Sequence, residues 1–276
     1  MKRKVFYVSD RTGITAETLG HSLLTQFEGI EFERESLRFI DSIDKAHAAA
    51  ESINEAAAQT GVKPIVFSTL IEAPVRDVVA ASQCVYFDLF DVFIDPLEQE
   101  LGVMSSHTAG RTHGMGSANG YTTRIDAVNF ALQHDDGSTM RDYARADLIL
   151  LGVSRSGKTP TCLYMALQYG IFAANYPLTE DDMNELRLPE RLKPYHAKLF
   201  GLTIKPERLQ RIRSERRPNS RYASLHQCQF EVRQVEAMYR THGIPILDST
   251  TMSVEEIAAT ILDVLNREGR VAPQSG

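Results

Sequence analysis

The sequence predicts an α/β protein: an N-terminal open α/β domain followed by a second α/β domain that opens on a glycine- and lysine-bearing loop. Three observations predict it. Short apolar runs alternate with longer helical patterns, as in βαβ units. A glycine-rich stretch interrupts that alternation before the middle of the 276 residues, and the second half opens on an apolar run that ends in a tight turn.

The elements follow in order. Val5 to Val8 reads as a first buried strand, followed by the turn Ser9-Asp10-Arg11-Thr12-Gly13 and a helix to about Phe27. Residues 32–40 read as a second strand, and the Ala-rich run Ile43 to Gln59 as a second helix closed by Gly61. Ile65 to Phe67, entered through Pro64, is a third strand, and helical pattern resumes from about Ile71 to Ser82. Residues 102–120 then carry five glycines with almost no apolar content, the composition of a functional loop or a linker. The domain junction is expected between this stretch and about Asp142, which gives domains at 1–140 and 141–268 and a flexible tail at 269–276.

In the second half, Leu148 to Leu151 is a continuous apolar run, as a strand buried on both faces requires. Gly152-Val153-Ser154-Arg155-Ser156-Gly157-Lys158-Thr159 follows, a full match to G-x-x-x-x-G-K-[ST]. A helical pattern then runs to Tyr169, with Pro160 in its first turn and Gly170 placed to end it. Strand, motif and helix in this order make the second domain P-loop kinase-like. The glycines let main chain approach a phosphate, whose oxygens are received by successive N–H groups and by the positive end of the helix. Residues 152–159 are therefore the expected nucleotide-binding set. Lys158 lies along the terminal phosphates, and Thr159 offers its hydroxyl to Mg²⁺.

Composition excludes other classes. Thirty Lys and Arg against 36 Asp and Glu leave a net charge of −6, which argues against a nucleic-acid binder. Cys84, Cys162 and Cys228 are odd in number and far apart, which suits reduced thiols and no zinc site. The N-terminal run VFYV is too short for a signal-peptide core, and no segment reaches the length of a membrane span, so a cytoplasmic protein is expected.

Several side chains are candidates for the chemistry. The chain has no Asn-Lys-x-Asp motif for guanine recognition. Asp248, after Ile244 to Leu247, and Asp88, after Val85 to Phe87, end apolar runs where a Mg²⁺-facing carboxylate belongs; each equally suits a helix cap. Asp181 and Asp182, beyond Ala173-Ala174-Asn175-Tyr176-Pro177, could supply a general base, Asp182 foremost, or cap the next segment. His113, on the glycine-rich stretch, could shuttle a proton. Lys205, Arg208, Arg211, Arg213, Arg216, Arg217 and Arg221 form a basic run opposed by only Glu207 and Glu215, either a solvated helix face or a surface for an acidic or phosphorylated partner. The turn at residues 9–13 could receive an anion, although Asp10 opposes a bare phosphate there.

Several blocks together carry a resemblance: "LILLGVSRSGKTPT" (148–161), "AANYP" (173–177), "KLFGLTI" (198–204), "NSRYAS" (219–224), "VFYVSDRTGITAETLGHSL" (5–23) and "GRTHG" (110–114). The chain resembles the family of regulatory proteins that act on phosphoenolpyruvate synthase or on pyruvate, phosphate dikinase, from Val5 to about Leu265. The resemblance implies a bifunctional enzyme. It would phosphorylate a threonine of its target with ADP as donor, releasing AMP, and remove the group with inorganic phosphate, releasing pyrophosphate. The nearer likeness is to the members that act on phosphoenolpyruvate synthase, so that enzyme is the expected partner. The dikinase, a small-metabolite kinase and a nucleotide sensor without catalysis remain alternatives. No nucleic acid or membrane is expected as a partner, and a homo-oligomer is left open.

Overall fold

The computed structural model describes residues 2–105, 118–135, 142–184 and 186–267. The chain divides into two compact units, Met1–Gly114 and Met115–Gly276. Each is an α/β unit around one parallel sheet, in agreement with the fold class that the sequence predicts.

The first unit runs β1 (Lys2–Val8), α1 (Ile14–Leu24), β2 (Glu31–Leu37), α2 (Ile43–Thr60), β3 (Ile65–Ser68), α3 (Ala73–Ala80), β4 (Val85–Asp88) and α4 (Asp91–Leu101). Its four strands lie in the order β2-β1-β3-β4, all parallel. Alternation along β1 explains its unbroken apolar run. Phe6 and Val8 face Ala46, Ala49, Ile53 and Val79 on one side of the sheet, while Val5 and Tyr7 face Ala16 and Leu24 on the other. In α2 the alanines at 46, 49, 50 and 57 recur at helical spacing and are buried, so small side chains let this helix close on the sheet.

The second unit runs α5 (Ala118–Gln133), β5 (Leu148–Gly152), α6 (Lys158–Tyr169), β6 (Ala173–Pro177), α7 (Glu180–Asn184), β7 (Leu199–Thr203), α8 (Pro206–Arg216), α9 (Leu225–His242), β8 (Ile246–Asp248) and α10 (Val254–Arg267). Its strand order, β6-β5-β7-β8, repeats that of the first unit: the first strand is central, the second lies outside it, and the third and fourth follow on the other side. Every residue of β5 is buried. Leu148 and Leu150 pack with Cys162, Met165, Ile261 and Leu265, and Ile149 and Leu151 with Val235, Met238 and Tyr239. In an open parallel sheet, ligands bind beyond the carboxyl ends of the strands where successive connections diverge. In the second unit that point falls between β5 and β7, where residues 153–157 leave the sheet.

Two parts of the sequence reading shift. α4 is absent from the sequence reading although Phe93, Ile94, Leu97 and Leu101 recur at helical spacing, and none of its residues is buried. The division at Gly114 assigns α5 to the second unit, where it packs on α6 and β6, whereas a boundary at 140 gave it to the first. All three cysteines are free thiols. Among the described residues, no helix is long and apolar enough to cross a membrane.

One consequence concerns the turn after β1. Burial pushes the Asp10 carboxyl above the usual carboxylate range, with the neighbouring Arg11 pulling it back. A carboxyl whose folded value is raised favours folding only while protonated, and that contribution is lost as pH rises through the folded value. Asp10→Asn is therefore expected to raise the urea midpoint at pH 7, and the gain is expected to shrink as the pH is lowered. A gain that is unchanged or larger in acid would show that the carboxylate is not held against its ionisation.

Candidate nucleotide site

The loop between β5 and α6 is shaped by three backbone requirements. A side chain at Gly152 would place its first carbon 2.6 Å from Ser156 Oγ and 3.0 Å from the Leu202 carbonyl, so only glycine fits at the strand end. Gly157, at φ +94°, provides the turn into α6. Arg155 sits at φ +73°, a left-handed conformation that costs a residue other than glycine about 1–2 kcal/mol.

A loop that directs its amides toward an anion directs carbonyls into the protein body, and each of these needs a donor. The Gly152 and Val153 carbonyls accept from Lys158 Nζ at 3.0 and 2.9 Å. The Ser154 carbonyl accepts from Arg213 Nη2 at 3.1 Å and Nε at 3.3 Å. The Ser156 carbonyl accepts from Ser249 Oγ at 3.0 Å, and the Gly157 carbonyl from Thr161 Oγ1 at 2.8 Å. Four separate side chains thus hold the loop open from behind.

Arg213 carries the most in this arrangement. It is fully buried in α8, and its Nη2 lies 2.6 Å from Glu231 Oε2 on α9. Its Nη1 donates to the Tyr222 carbonyl at 3.1 Å, and its guanidinium stacks over the Tyr222 ring at 4.2 Å. Burial works against the Arg213 charge, but the hydrogen bond and charge of the Glu231 carboxylate outweigh it and hold the guanidinium above its ordinary value. Tyr222 Oη in turn meets Ser154 Oγ at 2.9 Å.

The other end of the motif is held by a polar triangle. Thr159 Oγ1 donates to Asp135 Oδ1 at 2.8 Å, and Asn175 Nδ2 donates to the same oxygen at 2.6 Å and to Thr159 Oγ1 at 3.0 Å. Asp135 lies just beyond α5, and Asn175 is a buried polar residue in β6. The carbonyl of His134 accepts from the Asn175 amide at 3.1 Å, which ties the end of α5 to the sheet edge. Asp135, Ser154, Arg155, Gly157, Lys158, Thr159, Pro160, Ile212, Arg216, Arg217 and Tyr222 line a cavity of about 700 Å³.

A model of the kinase/pyrophosphorylase family matches residues 5–262. The chain belongs to that family. As a member, it is a phosphotransfer enzyme. It is 56% identical over 270 residues to a protein of Alkalilimnicola ehrlichii with the provisional name phosphoenolpyruvate synthase regulatory protein, covering 98% of each chain. A protein of the same provisional name from Legionella pneumophila strain Corby is 55% identical over 98% of this chain and all of its own, and one from Halorhodospira halophila is 58% identical over 94% and 95%. Among solved structures, a fructose-binding periplasmic domain of a hybrid two-component system aligns at 11% identity with a TM-score of 0.21, too distant to carry an argument.

Residues 152–159 form the loop at the β5 carboxyl end, and Lys158 and Thr159 both line its cavity. Asp182 is not among the lining residues; its Oδ2 accepts from the Thr179 amide at 3.0 Å and the Thr179 hydroxyl at 2.9 Å, a cap for α7. Asp88 Oδ1 accepts from the amides of Phe90 and Asp91 at 2.9 and 3.0 Å, capping α4. Asp248 accepts from the amide and hydroxyl of Thr250, and the residue that reaches the loop from that strand end is Ser249. His113 lies outside the described residues. In the first unit, the turn at 9–13 borders a cavity of about 50 Å³ that faces the carboxylate residues Asp10, Asp41 and Glu72 as well as Arg11. The basic run divides: Arg213 is buried, and Arg216 and Arg217 line the cavity beside the loop. Sequence reasoning missed Asp135, Asn175, Arg213 and Tyr222 as parts of one site.

The Arg213–Glu231 pair separates stability from loop geometry. Arg213→Met strands a buried carboxylate and is expected to cost about 3–5 kcal/mol in urea denaturation. Pairing it with Glu231→Leu is expected to recover most of that loss while leaving pyrophosphate binding weak, because the Ser154 carbonyl still lacks its donor. Full recovery of binding in the double variant would remove Arg213 from the loop's support.

Proposed function

We propose that the chain is a bifunctional regulator of phosphoenolpyruvate synthase, which phosphorylates a threonine of that enzyme with ADP and removes the phosphate with inorganic phosphate. The observation that supports it is the braced loop at residues 152–159, with Thr159 and Asp135 at its end, in a member of a family that couples a kinase to a pyrophosphorylase. The relatives' provisional names point to the target. Free thiols suit a reducing cytoplasm.

The two reactions are chemically alike. In the first, the threonine oxygen attacks the β-phosphorus of ADP, the bond from that phosphorus to the bridging oxygen breaks, AMP leaves, and the hydroxyl proton departs. In the second, an oxygen of inorganic phosphate attacks the phosphorus of phosphothreonine, the bond to the threonine oxygen breaks, pyrophosphate leaves, and the threonine oxygen regains a proton. Each moves one phosphoryl group between a threonine oxygen and a phosphate oxygen. The loop that holds the α-phosphate of AMP can hold inorganic phosphate in the same place, so one site serves both directions.

The residues take distinct parts. The loop amides and Lys158 bind the donor phosphates, with Lys158 exchanging its carbonyl partners for phosphate oxygens. Arg155 holds its strained conformation where a guanidinium can fork onto phosphate oxygens. The oxygens of Thr159 and Asp135 fit the preference of Mg²⁺ for a few protein oxygens beside phosphates. When bound there, that ion would neutralise charge on the phosphates. Asp135 is the carboxylate that lines the cavity among the described residues, and we assign Asp182 to capping.

ADP labelled at its β-phosphate is expected to place label on a threonine of phosphoenolpyruvate synthase, with AMP as the other product; label on a small molecule would instead identify a metabolite kinase. Lys158→Ala and Asp135→Asn are each expected to lower the rate of transfer by at least about 10²-fold, and Asp182→Asn by less than about threefold. The reverse ranking in initial-rate assays would return Asp182 to the reacting centre. Arg155→Gly is expected to gain up to about 1 kcal/mol of stability while transfer falls by at least about tenfold. A glycine variant with wild-type turnover would leave the strain without a function.

A further inference from the structure

The cavity gathers more positive charge than the loop alone accounts for. Arg155, Lys158, Arg216 and Arg217 line it, against the single carboxylate of Asp135, in a chain whose net charge is −6. Among the described residues, neither Arg216 nor Arg217 has a carboxylate within ion-pairing distance. Arg213, earlier in α8, is instead paired with Glu231 at 2.6 Å.

The end of α8 places this pair: Arg216 is its last residue, Arg217 follows in a non-helical conformation (φ −140°, ψ 80°), and both line the cavity beside Ile212 and Tyr222. Arg213 fastens α8 to the Ser154 carbonyl, and Tyr222 Oη fastens the segment after α8 to the Ser154 hydroxyl. The two guanidinium groups are thereby carried on a wall that is joined to the loop at Ser154, while the Thr159 end is joined to Asp135.

We propose that Arg216 and Arg217 form a second anion subsite, which receives the phosphate of the phosphorylated target in one direction and stabilises the phosphoryl group during its transfer in the other. This rests on the two-reaction reading above. The chemistry fits: a phosphothreonine carries about −1.5 to −2 charge at neutral pH and offers three acceptor oxygens, which paired guanidinium groups bind as forks. Arginine clusters are the usual means of reading a phosphorylated side chain, and a guanidinium beside a transferring phosphoryl group also lowers its barrier. Both arginines are exposed at the cavity wall, so their removal leaves the core and the loop's supports intact.

The test compares Arg216→Gln, Arg217→Gln, the double variant and the two lysine variants, all as full-length protein. The quantities read are the Kd for ADP with magnesium, and kcat and KM both for phosphorolysis of phosphorylated phosphoenolpyruvate synthase and for transfer to the unphosphorylated enzyme. For the double variant we expect kcat/KM for the phosphorylated target to fall at least a hundredfold, kcat for transfer to fall at least tenfold, and the Kd for ADP to change less than threefold. The lysine variants are expected to lie between, because they keep the charge and lose the fork. Equal losses in ADP binding and in phosphorolysis would overturn the proposal by assigning the arginines to the donor phosphates. An equal rise in KM for phosphorylated and unphosphorylated target, abolished by salt, would overturn it in favour of steering between protein surfaces. A wild-type protein that binds ADP and phosphorylates the synthase yet never removes the phosphate would overturn the two-reaction reading and this subsite together.

Discussion

A peptide loop cannot point its amides at a phosphate without pointing its carbonyls elsewhere, and the second unit is organised around that constraint. The carbonyls of Gly152, Val153, Ser154, Ser156 and Gly157 all find side-chain donors, from three directions: Lys158 and Thr161 from α6, Arg213 from α8, and Ser249 from the end of β8. An unpaired buried carbonyl costs about as much as a lost hydrogen bond, so these donors keep the loop in its receptive shape before any anion arrives. The shape is thus preorganised, and little of the binding free energy goes into building it.

Bracing also explains the two unusual buried polar features of this unit. A buried guanidinium–carboxylate pair contributes little net stability compared with well-packed apolar groups. Arg213 and Glu231 make sense as positioning groups, since the same guanidinium reaches the Ser154 carbonyl, the Tyr222 carbonyl and the Tyr222 ring. Asn175 interrupts an otherwise apolar strand because its amide orients the Asp135 carboxylate against Thr159. In both cases the interior accepts polar groups where they set the geometry of the cavity.

The sequence made some of this legible and concealed the rest for physical reasons. β5, the loop and α6 were readable because strand, turn and helix are local and each leaves its own pattern: an apolar run, glycines at fixed spacing, and a helical repeat closed by Gly170. Asp135 was not, because it approaches Thr159 from 24 positions upstream, across a contact that only the tertiary fold creates. Arg213 is indistinguishable from its neighbours in the basic run, because composition does not separate the buried face of α8 from its outer face. Asp182, Asp88 and Asp248 showed the opposite behaviour: carboxylates near strand and helix ends found local amides and hydroxyls to accept from. The repeated strand order of the two units has no counterpart in the sequence, since topology constrains where strands lie and not which apolar residues build them.

The proposed function requires a single phosphate position, used by AMP in one reaction and by inorganic phosphate in the other. It is tested most directly by initial-rate kinetics of transfer from ADP to phosphoenolpyruvate synthase at several fixed concentrations of inorganic phosphate. If the loop at residues 152–159 serves both reactions, phosphate raises the apparent KM for ADP and leaves kcat unchanged. A fall in kcat with an unchanged KM would mean that phosphate binds elsewhere, and would contradict a shared site.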